Sequence, residues 1–286
     1  MSLQTIPANG AELCVETFGD PSDPAILLIG GGGASMDWWD AEFCARLAAS
    51  GRLVIRYDLR DTGQSTTYPR GNPGYSFPDL STDAIGVLDG LGIAKGNIVG
   101  ISMGGTIALG AVLRYPDRVS TLTLMSTSPA GPGSPANGLP PVAPRLRKHW
   151  ANPVPDPDWN DRDAYIDYLA ADTAVYAGTV SLDEQSQREL IGRAFDRSID
   201  PGAAGNHGVL KGGTDVRPRL GEIKAPTLVI HGTVDPLFPL AHGEAFVAEL
   251  PQATLLPLEG VGHEAPPPAT WDVVVPALVE HTGGSR

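Results

Sequence analysis

Short apolar runs and helical patterns alternate along most of this chain. The apolar runs predict strands over Glu12–Phe18, Ala25–Ile29, Leu53–Tyr57, Ile98–Ile101, Val119–Met125, Thr227–His231 and Thr254–Leu258. Between them, apolar residues recurring at helical spacing predict helices over Ala41–Ser50, Pro78–Leu91, Met103–Tyr115, Ala241–Leu250 and Thr270–His281. Gly51, Gly92 and Pro116 follow the first three of these, and such residues stop helices. Strands alternating with helices of about 10 to 15 residues imply an α/β protein with a largely parallel sheet covered on both faces.

The alternation breaks between Ser128 and Leu220. Ser128–Pro157 is rich in proline and glycine and reads as loop, whereas Asp161–Ile199 regains helical spacing through Tyr165, Tyr168, Leu169, Leu190, Ile191 and Phe195. A bare α/β unit does not need about 90 residues between consecutive strands, and insertions of that length carry function. The expected organisation is therefore a core of residues 1–127 and 221–286, with a mainly helical cap, 128–220, over the carboxyl edge of the sheet.

The chemistry is concentrated where strands end. Asn97-Ile98-Val99-Gly100-Ile101-Ser102-Met103-Gly104-Gly105 carries Gly-x-Ser-x-Gly between an apolar run and a helical one. A serine hydroxyl is a poor nucleophile and must be presented on a sharp turn beside a base. Small residues two before and two after the serine, Gly100 and Gly104, permit that turn. The same five residues in a loop would be a plain turn, so the rest of the chain must supply the partners.

A base is expected on a loop after the last strand, where Gly260-Val261-Gly262-His263-Glu264 places His263. His231 ends a strand, His149, His207 and His281 lie on cap or terminal segments, and His242 opens a helix; all fit the role less well. An orienting acid is expected beyond a late strand, and His231-Gly232-Thr233-Val234-Asp235-Pro236 offers Asp235. An Asp-Pro turn would explain the same residues. The order Ser…Asp…His and the absence of an acid at Ser126, Thr127 and Ser128 favour the catalytic reading. Glu259 and Glu264 flank the histidine as weaker substitutes. Two backbone N–H groups must receive the developing oxyanion, and Met103, at a helix start, and Gly32, in the loop Gly30-Gly31-Gly32-Gly33, are the candidates. Gly33, Met36, Trp38 and Trp39 are the candidate substrate-binding residues. Met36, Trp38, Trp39 and Tyr75 either line an apolar pocket beside that loop or pack the core beneath it. The charges of Asp58-Leu59-Arg60-Asp61 read as a hydrogen-bonded turn.

Composition narrows the classes. The 286 residues are 42% hydrophobic and 19% charged, as in a globular protein able to bury a sizeable core. A net charge of −13 argues against nucleic acid, whose binding needs basic residues, and mildly against strongly anionic substrates. Two cysteines, Cys14 and Cys44, lie in apolar-periodic stretches and make no disulfide framework or zinc pattern. No His-x-x-x-His or carboxylate cluster suggests a metal, and the expectation is a reaction without cofactor. The glycine run fails as a dinucleotide motif because Ser35 or Met36 stands at its last position, and no Gly-Lys-Ser/Thr makes a phosphate loop. Met1–Gly10 lacks a basic start and apolar core, and no apolar run nears the roughly 20 residues that span a membrane. The expected setting is the cytoplasm, away from membranes.

With these residues assembled, the chain resembles the α/β-hydrolase superfamily over nearly its whole length. Phe18-Gly19-Asp20-Pro21, Arg60-Asp61-Thr62-Gly63-Gln64-Ser65 and Gly100-Ile101-Ser102-Met103-Gly104 are similar to the actinobacterial esterase group that contains aclacinomycin methylesterase. That resemblance implies an eight-stranded, mostly parallel sheet with a cap after the sixth strand. It also implies a Ser102–His263–Asp235 triad, an oxyanion hole at Gly32 and Met103, and a small-molecule ester substrate, such as a polyketide methyl ester. Gly30 departs from the His-Gly that commonly opens the oxyanion loop, as does the methylesterase group. Serine rather than aspartate at position 102 disfavours dehalogenase and epoxide hydrolase chemistry. Two other readings compete with a serine esterase. One is a prolyl-type aminopeptidase using Asp156, Asp158, Asp161 and Asp163 to hold a substrate ammonium. The other is a non-catalytic ligand-binding protein on the same scaffold. Oligomeric state is not legible.

Overall fold

A computed structural model describes residues 2–130, 138–213 and 215–283. Its centre is one eight-stranded sheet with strands β1 (Ser2–Ala8), β2 (Ala11–Phe18), β3 (Ala25–Ile29), β4 (Leu53–Tyr57), β5 (Gly96–Ile101), β6 (Val119–Met125), β7 (Thr227–Gly232) and β8 (Ala253–Leu258). The order is β1-β2-β4-β3-β5-β6-β7-β8, antiparallel between β1, β2 and β4 and parallel from β4 onward.

The central strands are apolar on both faces because both faces are covered. In β3, Leu27 and Ile29 join one buried cluster while Ile26 and Leu28 join the other, the period-2 alternation of a pleated strand. Helices α2 (Phe77–Gly90), α3 (Met103–Arg114) and α7 (Ala241–Glu249) pack the first face through residues such as Leu80, Ile107 and Phe246. Helices α1 (Ala41–Ala49) and α8 (Trp271–Thr282) pack the second, through Phe43, Leu47, Trp271 and Leu278. Cys14 and Cys44 are free thiols in this interior. The pairings Ile29↔Gly100, Ile101↔Met125 and Met125↔Ile230 bring the ends of β3, β5, β6 and β7 to one level. The loops leaving those ends therefore meet, as ligand-binding loops do in open α/β sheets.

Between β6 and β7 lie helices α4 (Pro144–Ala151), α5 (Arg162–Ala174) and α6 (Glu184–Arg197), and a 3-10 segment over Pro201–Val209. Helices α5 and α6 close on each other through Tyr165, Ile166 and Ile191. Two elements differ from the sequence reading. β1 is an edge strand with only Ile6 and Ala8 buried, so it has little apolar pattern to detect. α4 stands within the stretch read as loop; it starts with Pro144 at its first turn and buries Leu146 alone. None of the described helices is long and apolar enough to cross a membrane.

Candidate active site

Ser102 sits between β5 and α3 with φ 53° and ψ −118°, a left-handed backbone that a non-glycine residue rarely adopts. Such strain costs roughly 1–3 kcal/mol and persists only where neighbours over-determine it. Here they do. The Ser102 N–H donates to the Met125 carbonyl at 2.9 Å, and its own carbonyl accepts from the Gly105 N–H at 2.9 Å and the Thr127 hydroxyl at 2.8 Å. A Cβ on Gly100 would lie 2.2 Å from the Gly104 carbonyl oxygen, and one on Gly104 would lie 2.4 Å from that of Ile29. Both glycines are required by backbone approaching backbone.

The turn aims the Ser102 Oγ at His263, whose Nε2 is 2.9 Å away. His263 Nδ1 is 2.9 Å from Asp235 Oδ2. The other carboxylate oxygen, Oδ1, accepts the Leu237 and Phe238 N–H groups, each at 2.8 Å, which fixes the carboxylate within its turn. Burial alone would raise the Asp235 carboxyl; the facing His263 and the Phe238 N–H outweigh it and hold the group below the usual carboxylate range. An ionised Asp235 accepts from Nδ1–H, leaving Nε2 free to take the serine proton. His231 also approaches this carboxylate, 3.7 Å from Oδ2, with Nε2 donating to the Phe238 carbonyl at 2.6 Å. Burial pushes its pKa down, so it braces the Asp235 turn as a neutral ring.

The glycine loop after β3 lies against this turn. Gly31–Ala34 is a tight turn closed by the Ala34 N–H on the Gly31 carbonyl at 3.2 Å, with Gly33 at φ +73°. A Cβ on Gly32 would stand 3.6 Å from the Met103 sulfur, so Gly32 borders the start of α3. The Met103 N–H, at the first position of that helix, has no partner within the helix. The Gly33 N–H is already committed to His207 Nδ1 at 2.9 Å. Gly32 and Met103 thus stand together beside Ser102, with the neighbouring Gly33 N–H occupied.

The family model described as the alpha/beta hydrolase fold matches residues 24–267. The chain belongs to the α/β-hydrolase family. It is 31% identical to the rhodomycin D methylesterase DauP of Streptomyces sp. (strain C5), over 99% of this chain and 98% of that protein. It is 30% identical to the rhodomycin D methylesterase DnrP of Streptomyces peucetius, with the same two coverages. The crystal structure of the enol-lactonase from Burkholderia xenovorans LB400 superposes with a TM-score of 0.73 at 25% identity, covering 98% of this chain and all of that one.

Within this α/β-hydrolase, the remaining sequence-derived candidates divide. Met36 and Trp39 are 1% and 2% exposed, and Trp39 stacks on Phe43 in the core beneath the loop. The core alternative holds for these two, and they are withdrawn as substrate contacts because solvent-side groups cannot reach them. Gly33 is half-buried and spends its N–H on His207. Trp38 is half-buried and packs on Tyr165, Ile166 and Ile191 of the inserted helices. The Tyr75 hydroxyl donates to Asp61 Oδ2 at 2.8 Å, a structural role. Asp158 and Asp161 serve a turn and the α5 N-cap, and Asp156 and Asp163 are exposed. Glu259 is exposed, whereas Glu264 is mostly buried and accepts the Gly178 N–H at 3.1 Å. Burial pushes the Glu264 carboxyl up, against the pull of the Gly178 and Gly262 N–H groups. Among the described residues no group of His, Cys, Asp and Glu is arranged to hold a metal ion.

Two sets of residues escaped sequence reasoning. Residues 176–180, after α5, dock on the histidine loop: His263 N–H donates to Tyr176 O at 2.9 Å, and Thr179 and Val180 N–H donate to Gly260 O at 2.7 and 2.9 Å. The α6 terminus and the 3-10 segment dock on the opposite side. There Arg197 binds Asp37 Oδ2 at 2.6 Å and Asp58 Oδ2 at 2.8 Å, and Asn206 Nδ2 donates to Asp61 Oδ2 at 3.0 Å. Asp58 also receives the Met36 and Gln64 N–H groups, yet burial still pushes its carboxyl up to about 6.

Proposed function

We propose that this chain is a serine esterase in which Ser102, His263 and Asp235 are the catalytic triad and Gly32 and Met103 the oxyanion hole. It is an ester hydrolase by family, and the unbroken Ser102–His263–Asp235 hydrogen-bond series carries the assignment of residues. His263 Nε2 takes the hydroxyl proton as Ser102 Oγ attacks the ester carbonyl. Negative charge on the former carbonyl oxygen is met by the two N–H groups, helped by the positive end of α3. The alcohol leaves with the proton from His263, and an acyl-Ser102 remains. Water, deprotonated by the same nitrogen, attacks the acyl carbon; collapse releases the acid and returns the proton to Ser102.

Residues 128–220 act as the cap that selects the substrate. The favoured class is a neutral or hydrophobic small-molecule ester, with a polyketide methyl ester as the specific candidate. The full-length likeness to two rhodomycin D methylesterases supports it. The aminopeptidase reading has no comparable support, since its proposed carboxylates serve a turn and a helix cap or lie exposed. A fluorophosphonate probe should label Ser102, and Ser102→Ala should lower hydrolysis of p-nitrophenyl esters about 10⁴-fold or more. Turnover of amino-acid anilides without turnover of esters would overturn the assignment, as would an active Ser102→Ala.

A further inference from the structure

The glycine run that supplies the oxyanion donor has no side chains of its own to hold it. Gly30, Gly31, Gly32 and Gly33 are the residues with the greatest backbone freedom, so an ordered N–H there must be fixed by contacts from elsewhere. Two such contacts exist. The Ala34 N–H on Gly31 O orients the Gly31–Gly32 peptide, which carries the Gly32 N–H. The Gly32–Gly33 peptide is the centre of the same turn, and the φ of +73° at Gly33 is the left-handed value taken by the third residue of a type II turn. That central peptide is the unit that rotates between turn types, and with glycine on both sides nothing local prevents it.

His207 prevents it. The residue is 9% exposed, on the 3-10 segment 174 residues away in sequence, with Nδ1 accepting the Gly33 N–H at 2.9 Å. Nε2 donates to the Arg60 carbonyl at 2.8 Å. These two bonds define a single neutral tautomer, with hydrogen on Nε2. Burial lowers its pKa, against the opposing pull of the Arg60 carbonyl and the Asp61 charge, so the ring stays neutral. Neither end of the bridge drifts. The Arg60 guanidinium pairs with Asp83 in the interior, with Nε 2.7 Å from Oδ2. Neighbouring Asn206 is fully buried, donating to Asp61 and the Pro69 carbonyl and accepting from the Gly71 N–H.

We infer that His207 is a positioning residue for the oxyanion hole: from the inserted segment, it anchors the Gly31–Ala34 turn through the Gly33 N–H and so fixes the place of the Gly32 N–H that the same turn carries. The inference rests on the serine esterase reading above. It makes the inserted segment part of the catalytic scaffold as well as a cover over the substrate.

Two substitutions separate the ends of the bridge. The amide oxygen of His207→Asn occupies the place of Nδ1 and can still accept from Gly33. The amide nitrogen of His207→Gln occupies the place of Nε2 and can still donate to Arg60. With p-nitrophenyl acetate, His207→Gln should lose about 10- to 100-fold in kcat, less than the roughly 10²–10³ for deleting a donor outright. Its KM should change little, and its Ki for phenylboronic acid, which forms a tetrahedral adduct on Ser102, should rise in step. His207→Asn should stay within about fivefold of the parent on each measure. Each variant gives up one bond of the bridge, so a comparable drop in melting temperature with divergent kcat supports positioning. Equal losses of kcat in both variants, or a Ki that does not follow kcat/KM in His207→Gln, would overturn the inference. Fluorophosphonate labelling of Ser102 in the parent keeps that outcome distinct from a failure of the esterase reading, which would leave Ser102 unlabelled.

Discussion

Two seams between the inserted segment and the loops of the sheet are built from different materials. On the histidine side, residues 176–180 meet residues 260–263 backbone to backbone. A Cβ on Gly178 would lie 2.1 Å from the Gly260 carbonyl oxygen, and one on Gly262 would lie 2.2 Å from that of Tyr176. On the oxyanion side, the seam is made of charged and titratable side chains: Arg197 with Asp37 and Asp58, His207 with Gly33 and Arg60, Asn206 with Asp61. Backbone-to-backbone bonds hold their partner at one distance and do not titrate, but they tolerate no added atom. A side-chain seam tolerates small shifts and depends on the protonation state of its titratable members. His263 is held by the first kind and the glycine loop after β3 by the second.

Breaking the side-chain seam should have the larger effect on stability. Arg197→Met leaves Asp58, which is fully buried, without its cation, and removing one partner of a buried pair costs about 3–5 kcal/mol. Asp58 already titrates near 6, above its unfolded value, so its charge is a burden that grows as pH rises through that value. Losing Arg197 raises the carboxyl further. Urea unfolding should therefore show the full loss at pH 8 and a much smaller one at pH 5, where Asp58 is protonated in both proteins. A loss that is the same at both pH values would contradict this account.

Breaking the backbone seam should act on chemistry. The added methyl of Gly178→Ala must push the histidine loop aside, and a displacement near 1 Å at a catalytic group costs about 10²-fold. We expect kcat/KM to fall by that order with fluorophosphonate labelling slowed equally, and no rescue by changing pH. Retention of full activity would show that the seam does not position His263.

The smallest effect is local. The neutral His207 can accept from Gly33 only while unprotonated, and its folded pKa lies below the ordinary 6.5. Its contribution to stability is complete above 6.5 and is lost as pH falls through the depressed folded value. Normalised hydrogen-exchange protection of the Gly33 amide should therefore weaken progressively as pH falls below 6.5, while that of Thr179, Val180 and His263 holds. Uniform behaviour across both seams would erase the distinction.

Most strands and core helices were readable because each buries a face, and burial writes a period of two or 3.6 into the residues themselves. Residues at the ends of those elements were readable for a related reason. The turn at Ser102 and the loop of His263 need small residues close by, and Gly100, Gly104, Gly260 and Gly262 stand within three positions of them in sequence. The edge strand β1 and helix α4 bury too little to leave such a pattern.

What sequence alone determined was thus the α/β alternation, the strand ends and the three side chains that meet there. What only the tertiary structure decided was how the inserted segment is attached. The Gly33–His207 bond spans 174 residues and the Asp58–Arg197 pair 139, and neither partner carries a local sign of the other. Local periodicity reports which side of an element is buried. It cannot report which distant residue completes a hydrogen bond, because that pairing exists only once the sheet, the loops and the inserted helices have been brought together.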